Sequence, residues 1–261
     1  MASADSLSMG NSKGLGELWA RLRFLLLAII VYRLGTHIPV PGFDPERLSD
    51  LFTQNQGTFL GLFNMFSGGA LERMSILALG VMPYISASII MQLLSATVPS
   101  LEQLKKEGDN GRRQINQYTR YLTVALALFQ GTGLAVSFAS QGLAFEVSSM
   151  FYLVAIASLV SGAVFLMWLG EQITERGIGN GISMLIFAGI VAGIPGAIGQ
   201  AIESARQGDL NSLMLLVILI LALAVVYFVV FIERGQRRLT VNYAQRQGRK
   251  AYSAQTSHLP L

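Results

Sequence analysis

Arg33 and His37 are ionisable side chains well inside the long apolar stretches of this sequence, and both lie in the first stretch. Ionisable residues within a membrane span are costly and mark ion or substrate paths. No Asp or Glu lies inside any apolar stretch, whereas a carrier coupled to protons or sodium ordinarily needs such an acid. We therefore expect Arg33 to pack against neighbours or to reach towards an interface rather than to act in catalysis or ligand binding.

Other residue patterns give no support for an enzyme. The chain has no cysteine, which excludes disulfides and thiol chemistry, and His258 has no second ligand that would complete a metal site. Gly177–Gly181 (GIGNG) is similar to a nucleotide-binding loop but lacks the strand–turn–helix context of one. Ser183 has no candidate base within the apolar stretches. We therefore expect neither catalysis nor a cofactor.

Six uncharged or nearly uncharged stretches are close to the length of about 20 residues that a helix needs to cross a membrane. Hydrophobic residues make up 52% of the chain and charged residues only 13%, whereas soluble domains carry about 25% charged residues. The sequence predicts an all-α polytopic membrane protein with six transmembrane helices. The predicted spans are Leu22–Val40, Met74–Val98, Tyr121–Phe145, Val147–Gly170, Gly177–Ile202 and Leu210–Ile232.

The basic residues predict the orientation of these spans, because Lys and Arg gather in cytoplasmic loops. With the N-terminus in the cytoplasm, the cytoplasmic segments hold 15 of the Lys and Arg residues and the outer segments hold three. The acids divide eight to seven, so the basic residues carry the signal. Residues 1–20 are predicted to be a cytoplasmic leader, residues 21–232 a bundle of six spans, and residues 233–261 a basic cytoplasmic loop that ends before a further span.

One uncharged segment, Gly57–Leu71, is too short to cross the membrane. As a helix, its 15 residues would cover about 22 Å of an apolar core about 30 Å thick. Gly68 and Gly69 then break it, and Glu72 and Arg73 separate it from the second span. Such a segment either dips into the membrane, where it must be buried in protein or line a cavity, or lies as a helix on the outer surface. The residues alone leave both alternatives open.

Two further segments contain polar or basic residues: the second predicted span and the segment that follows the sixth predicted span. Ser86, Ser88, Gln92 and Ser95 either bond a neighbouring helix or face a polar path. Leu239–Tyr243, within the basic segment, alternates in a way that predicts a strand of a hairpin. The basic face is expected to attract either anionic lipid or an acidic or RNA-rich partner such as a ribosome.

Several strings of this sequence resemble those of the SecY family of protein-conducting channels and occur in the same order. They cover the chain from about Gly14 to its end. The resemblance implies an hourglass-shaped channel that passes unfolded polypeptide outward and releases apolar segments sideways into lipid. The strings are Phe63–Leu71 (FNMFSGGAL), Gly80–Gln92 (GVMPYISASIIMQ), Lys105–Arg113 with Tyr118–Tyr121, Trp168–Gly181 (WLGEQITERGIGNG), Phe187–Gly193 (FAGIVAG), and Glu233–Arg238 (ERGQRR) with Val241–Ala244.

The resemblance also implies a constriction ring and a plug. A short re-entrant helix within segment 57–73 would be a plug that closes the outer vestibule beneath an apolar ring, which seals by dewetting. The ring residues of each span are spaced i, i+4 and therefore share one helix face. The implied ring residues are Val81, Ile85, Ile182 and Ile186, and the implied plug residues are Phe63, Asn64, Met65, Phe66, Ser67, Gly68 and Gly69.

A lateral gate and a docking surface are implied in the same way. The second and third spans would form one gate wall, with Ser86 and Gln92 in its polar patch. The basic segment would dock the ribosome or the SecA ATPase through Arg234, Arg237, Arg238, Arg246, Arg249 and Lys250. The implied partners are the SecE and SecG subunits, SecA, the ribosome with its RNA and proteins, signal peptides and nascent chains, and membrane lipid. The implied location is the bacterial plasma (inner) membrane.

The sequence departs from the family pattern in two respects. Channels of this family have ten spans in two inverted halves, whereas this chain carries the N-terminal six, so we expect that the 261-residue chain does not seal a pore by itself. Position 81 is Val, where isoleucine is the common residue. Two alternatives remain: a small-molecule secondary carrier, disfavoured by the missing acids, and a ribosome-docking scaffold that does not conduct.

Overall fold

The computed structural model describes residues 5–55, 57–207, 212–235, 238–241 and 257–260. These residues form nine α-helices and one two-stranded sheet. The chain divides into two compact units, Met1–Pro195 and Gly196–Leu261. The elements are α1 (Asp5–Gly35), α2 (Pro45–Gln54), α3 (Phe59–Phe66), α4 (Met82–Thr97), α5 (Pro99–Lys106), α6 (Asp109–Ser140), α7 (Ser149–Arg176), α8 (Gly181–Gln207), α9 (Ser212–Glu233), β1 (Arg238–Val241) and β2 (Ser257–Pro260).

α1 is one continuous helix that joins part of the predicted leader to the first span. Leu25, Ala28 and Tyr32 recur at the spacing of one helix face and are buried. This face packs with residues of α7 in one apolar cluster. The helix ends at Gly35 and not at the predicted Val40.

The chain after α1 runs alongside the beginning of the predicted second span. The backbone of residues 38–40 pairs with that of residues 74–76 through hydrogen bonds of 2.8 and 2.9 Å. Residues 67–81 form turns rather than helix, so α4 begins at Met82, later than predicted. Pro83 in the first turn suits a helix start, because the first amide groups of a helix have no intrahelical partner.

α6 and α7 form a helical hairpin with small residues between them. Ala127, Gly131 and Ala135 of α6 are buried, and so is Ala155 of α7. Small side chains let helix backbones approach closely, which is how membrane helices gain packing contacts. Both helices extend beyond the predicted spans at the ends that were predicted to be cytoplasmic.

Four of the described helices are long and apolar enough to cross a membrane: α6, α7, α8 and the Leu216–Glu233 part of α9. α4 and α5 together make a fifth candidate, but they meet at an angle of 96°. The break is at Val98, which is extended because Pro99 follows it. The prediction of an all-helical, multi-pass membrane bundle is confirmed, while the count of six spans is not.

The second unit contains the end of α8, α9 and the sheet. The apolar side chains of α9 that the structure describes are exposed on all sides of the helix. Such a surface suits lipid or further protein as its surroundings. β1 pairs antiparallel with β2. The strand predicted over Leu239–Tyr243 is thus confirmed as far as Val241, and the two residues after it lie outside the described part of the chain.

Candidate functional site

A short turn between α7 and α8 sets the position of the predicted ring residues on α8. Thr174 Oγ1 donates a hydrogen bond to Gly170 O at 2.9 Å and accepts one from Gly181 N at 2.8 Å. The side chain of Asn180 caps α8 by accepting hydrogen bonds from its first amide groups. A Cβ atom at Gly181 would overlap Gly170 O, so this close approach requires glycine. The glycine-rich string therefore acts in helix packing.

The four predicted ring residues meet in one apolar cluster. Val81 is buried, and Ile85, Ile182 and Ile186 pack against the cluster to which it belongs. The three isoleucines also line a cavity of about 550 Å³ formed by α4, α6, α7 and α8. The remaining lining is mostly polar and includes Tyr84, Ser88, Asn116, Glu175 and Ser183.

An ion pair borders the same cavity and joins α6 to α7. The guanidinium of Arg120 meets the carboxylate of Glu171 through two parallel contacts, Nε to Oε1 and Nη2 to Oε2, both at 2.8 Å. This forked geometry fixes the direction of both side chains. Sequence reasoning missed the pair. Opposite charges at neighbouring ends of two predicted spans, Arg120 before the third and Glu171 after the fourth, were the signal that could have found it.

The predicted plug residues form the end of α3 and the turn that follows it, which together make a loop closed on itself. The side chain of Asn64 donates to Glu72 Oε2 and accepts from Glu72 N, both at 3.0 Å. Phe63 packs against the larger apolar cluster, whereas Met65 and Phe66 are exposed. Ser67, next in the chain, is only 5% exposed. The end of the loop is thus partly enclosed by protein.

Two side chains of α1 hold the end of this loop. Tyr32 Oη donates to Ser67 O at 3.1 Å, and Arg33 Nη1 donates to Gly68 O at 2.9 Å. Gly68 has a φ of +68°, and a Cβ atom there would lie 3.0 Å from the Cα of Gly189 in α8. The prediction that Arg33 packs against neighbours is confirmed. The sequence did not identify the acceptor of Arg33, Gly68 O. It did show a charged residue within the first span and a glycine break after the segment that contains α3.

His37 uses both ring nitrogens in contacts beside this loop. Its Nε2 lies 3.1 Å from Arg73 Nη1 and must accept, because a guanidinium only donates. Its Nδ1 then carries the proton and donates to Arg33 O at 2.8 Å. Within the described ranges, no group of three or more His, Asp or Glu side chains is placed to hold a metal ion.

The predicted gate residues lie on α4. Ser86 is partly buried and Gln92 is exposed. Gln92 Nε2 donates to Ser88 Oγ at 3.4 Å, and Ser95 Oγ donates to Gln92 O at 2.8 Å. These bonds stay within α4 rather than reach a neighbouring helix, and Ser88 faces the cavity.

The predicted docking residues lie after α9. Arg234 directly follows the helix, and Arg238 begins β1. Arg237, Arg246, Arg249 and Lys250 lie outside the described residues.

Known proteins are similar to this chain in sequence and in fold. The SecY family model matches residues 75–261. The chain is 68% identical to the protein translocase subunit SecY of Pseudomonas aeruginosa over 262 residues, which cover all of this chain and 59% of that protein. A solved structure of a protein-conducting channel has a TM-score of 0.66 at 18% identity, over 94% of this chain and 52% of the other. Sec61 in the canine ribosome–channel complex from the endoplasmic reticulum has a TM-score of 0.62 at 19% identity, over 87% and 50%.

The family match covers more than half of the chain, and the solved structures share its fold. The chain spans about three fifths of the length of the relative it matches. It belongs to the SecY family of translocase subunits.

Proposed function

We propose that this chain is the N-terminal portion of the central subunit of the Sec protein-translocation channel. The channel passes unfolded polypeptides across the bacterial plasma membrane and releases apolar segments sideways into it. The observation that carries this proposal is that Val81, Ile85, Ile182 and Ile186 belong to one larger apolar cluster, and that the three isoleucines line a cavity formed by four helices. Aliphatic side chains offer a passing chain no hydrogen bonds and exclude water when the channel is empty. We assign these four residues to the constriction ring.

We assign Phe63–Gly69 to the plug and Ser86 and Gln92 to the lateral gate. The enclosure of the loop end between α1 and α8 supports the plug assignment, because a plug must fit its seat when the channel is closed. The packing of α4 against α6 supports a gate wall built from these two helices.

The partners in this proposal follow from the orientation and the family. The N-terminus and the segment after α9 lie in the cytoplasm, where Arg234, Arg237, Arg238, Arg246, Arg249 and Lys250 dock the ribosome or the SecA ATPase. The structural likeness to a channel bound to a ribosome supports the first of these partners. SecE, SecG, signal peptides, nascent chains and lipid complete the assembly, and the partners supply the energy for transport.

Cysteine crosslinking in membranes tests the proposal; these 261 residues contain no cysteine, and any cysteine in the rest of the channel is first replaced by serine. Single cysteines are placed in the complete channel as Ile85→Cys, Ile182→Cys and Ile186→Cys. A secretory polypeptide with one cysteine is then stalled within the channel. Phe187→Cys and Phe129→Cys are the controls, because Phe187 is next to Ile186 but 60% exposed, and Phe129 of α6 is 78% exposed.

We expect crosslinks from the three ring positions and none from the two controls. This result would assign the ring and establish conduction. Crosslinks that are absent from the ring while ribosomes still bind would leave a docking protein and refute the conducting role.

A further inference from the structure

The contact between α1 and the plug segment, residues 57–73, has a function of its own in the proposed channel. We propose that Arg33, assisted by Tyr32, is the positioning residue that keeps the plug closed, and that a passing polypeptide must break this contact to open the channel. The inference rests on the proposed function, because it takes this segment as the plug. It adds two residues outside the plug and the ring to the parts that control opening.

Arg33 lies where a charge is costly unless polar groups satisfy it, within an apolar stretch of α1. Its Nη1 donates to Gly68 O at 2.9 Å. Among the described residues no carboxylate forms an ion pair with it. A guanidinium held by a neutral carbonyl is attached by a charge-assisted bond, yet it can exchange that acceptor for water or for a carbonyl of a passing chain. The bond is therefore suited to reversible opening.

Gly189 of α8 lies close to the end of the plug, and we call this position the seat of the plug. A Cβ atom at Gly189 would lie 3.0 Å from Tyr32 Oη, 3.2 Å from Phe66 O and 3.3 Å from Gly68 N. The same hydroxyl of Tyr32 donates to Ser67 O. Three elements, α1, the plug loop and α8, thus meet at one point, and the fit depends on glycine in α8.

The loop is bonded to itself and can move as one unit. Asn64 and Glu72 make reciprocal hydrogen bonds at 3.0 Å. Ser67 Oγ donates to Asn64 O at 2.9 Å and accepts from Leu71 N at 3.2 Å. These bonds do not involve α1 or α8. Breaking the bonds from Tyr32 and Arg33 therefore frees the plug end from α1 and leaves the bonds within the loop intact.

α8 connects the ring to this seat. Gly189 follows Ile186 by one helical turn, so both lie on adjoining parts of one face. A polypeptide that spreads the ring displaces Ile182 and Ile186, and the helix carries Gly189 with them. The seat then moves relative to α1, which strains the contact of Arg33 with the plug. An occupied ring is thereby coupled to an open plug.

The test is the ion conductance of the complete channel at rest, measured in planar bilayers. Arg33→Met keeps a long side chain but removes its donors. Arg47→Met is the matched control, because Arg47 Nη1 also donates to a glycine carbonyl on the outer side, Gly142 O at 2.7 Å, but holds a different loop. We expect conductance to rise about tenfold with Arg33→Met, as loss of a hydrogen bond to a charged group implies, and to stay unchanged with Arg47→Met. Arg33→Lys should restore part of the seal, since it keeps the charge without the planar fork.

Two further variants separate this inference from the channel assignment. In a channel that lacks Phe63–Gly69, Arg33→Met should add nothing, because Arg33 acts through the plug. Gly189→Ala, which presses on the contact from α8, should raise the resting conductance of the intact channel. Gly189→Ala tests the inference independently if the channel that carries Arg33→Met does not assemble.

Unchanged conductance in both Arg33→Met and Gly189→Ala would overturn the inference. So would an equal rise with Arg33→Met in the channel that lacks the plug. In either case, crosslinks from Ile182→Cys to a stalled polypeptide would leave the proposed function intact. Loss of those crosslinks, in contrast, refutes the proposed function itself.

Discussion

The proposed plug loop and the turn between α7 and α8 are both irregular segments rich in glycine, but they are held in different ways. The turn is held by its own neighbours, since Thr174 bonds Gly181 and Asn180 caps the helix that follows. The plug loop is held by Tyr32 and Arg33, which lie 35 residues earlier in the chain than the carbonyls they bond.

This difference indicates which segment is fixed and which can move. The bonds of the turn join residues at most seven positions apart, so few residues of chain separate their partners. The contacts of the plug loop join separate elements, so they can open without unfolding any helix. In the proposed channel the turn keeps the end of α7 joined to the start of α8, while the plug loop leaves and returns.

Deleting Phe63–Gly69 has the largest expected effect on the movable segment. The seal beneath the ring is then lost entirely, so we expect the resting ion conductance of the complete channel to rise by about tenfold or more. Single-channel recording measures this change. A conductance equal to that of the intact channel would contradict the plug assignment.

Gly181→Val has the largest expected effect on the fixed segment. Its side chain would collide with Gly170 O and lie against Ile173, and overpacking of this kind costs about 2–3 kcal/mol. We expect a lower unfolding temperature of the detergent-solubilised complete channel. Gly193→Val is the control, because a Cβ atom at Gly193 has no neighbour within 4 Å in the described residues. Equal stability of the two variants would show that the turn is not closely packed.

Thr174→Val removes the hydroxyl that joins Gly170 O to Gly181 N while it keeps the shape of the side chain. An amide and a carbonyl lose their partner, so we expect a loss of about 1–2 kcal/mol in the free energy of unfolding. Resting conductance should not change, because the hydroxyl of Thr174 bonds Gly170 and Gly181 and takes no part in the contact of Tyr32 and Arg33 with the plug loop. A leak without a loss of stability would reverse the roles we assign to the two segments.

Asn64→Ala has the smallest expected effect. It removes both hydrogen bonds to Glu72, at a cost of about 1 kcal/mol that is confined to the loop. We expect a small rise in resting conductance, below that of Arg33→Met, and an unchanged unfolding temperature. Asn55→Ala is a control on the outer side, because the Asn55 side chain bonds only Leu51 O of its own helix among the described contacts. An effect of Asn64→Ala larger than that of Arg33→Met would place the main attachment of the plug within the loop.

Much of the fold could be predicted from the sequence because hydropathy and length decide it. The apolar stretches gave α6, α7 and α8, and the i, i+4 spacing placed Ile182 and Ile186 on one face of α8. The short length of Gly57–Leu71 and its two glycines indicated a broken segment, and the structure has α3 and a turn there.

Contacts between distant segments could not be predicted in this way. Residues 38–40 pair with residues 74–76, so α1 ends earlier and α4 begins later in the chain than predicted. No local sequence pattern encodes such pairing. The bond from Arg33 to Gly68 O depends on a backbone carbonyl, which every residue has, so composition cannot identify it. Gly189 is one of 27 glycines, and only its neighbours in space distinguish it.

The accessibility of two buried positions during transport tests the distinction between the moving and the fixed segment most directly. Ser67→Cys reports on the plug loop and Ile173→Cys on the turn, since Ser67 is 5% and Ile173 0% exposed. Each variant of the complete channel is labelled with a membrane-impermeant maleimide on both sides, at rest and with a stalled secretory polypeptide. We predict that the stalled polypeptide raises labelling of Ser67→Cys several-fold and leaves Ile173→Cys protected. Unchanged labelling of Ser67→Cys, or an equal rise at both positions, would contradict the account.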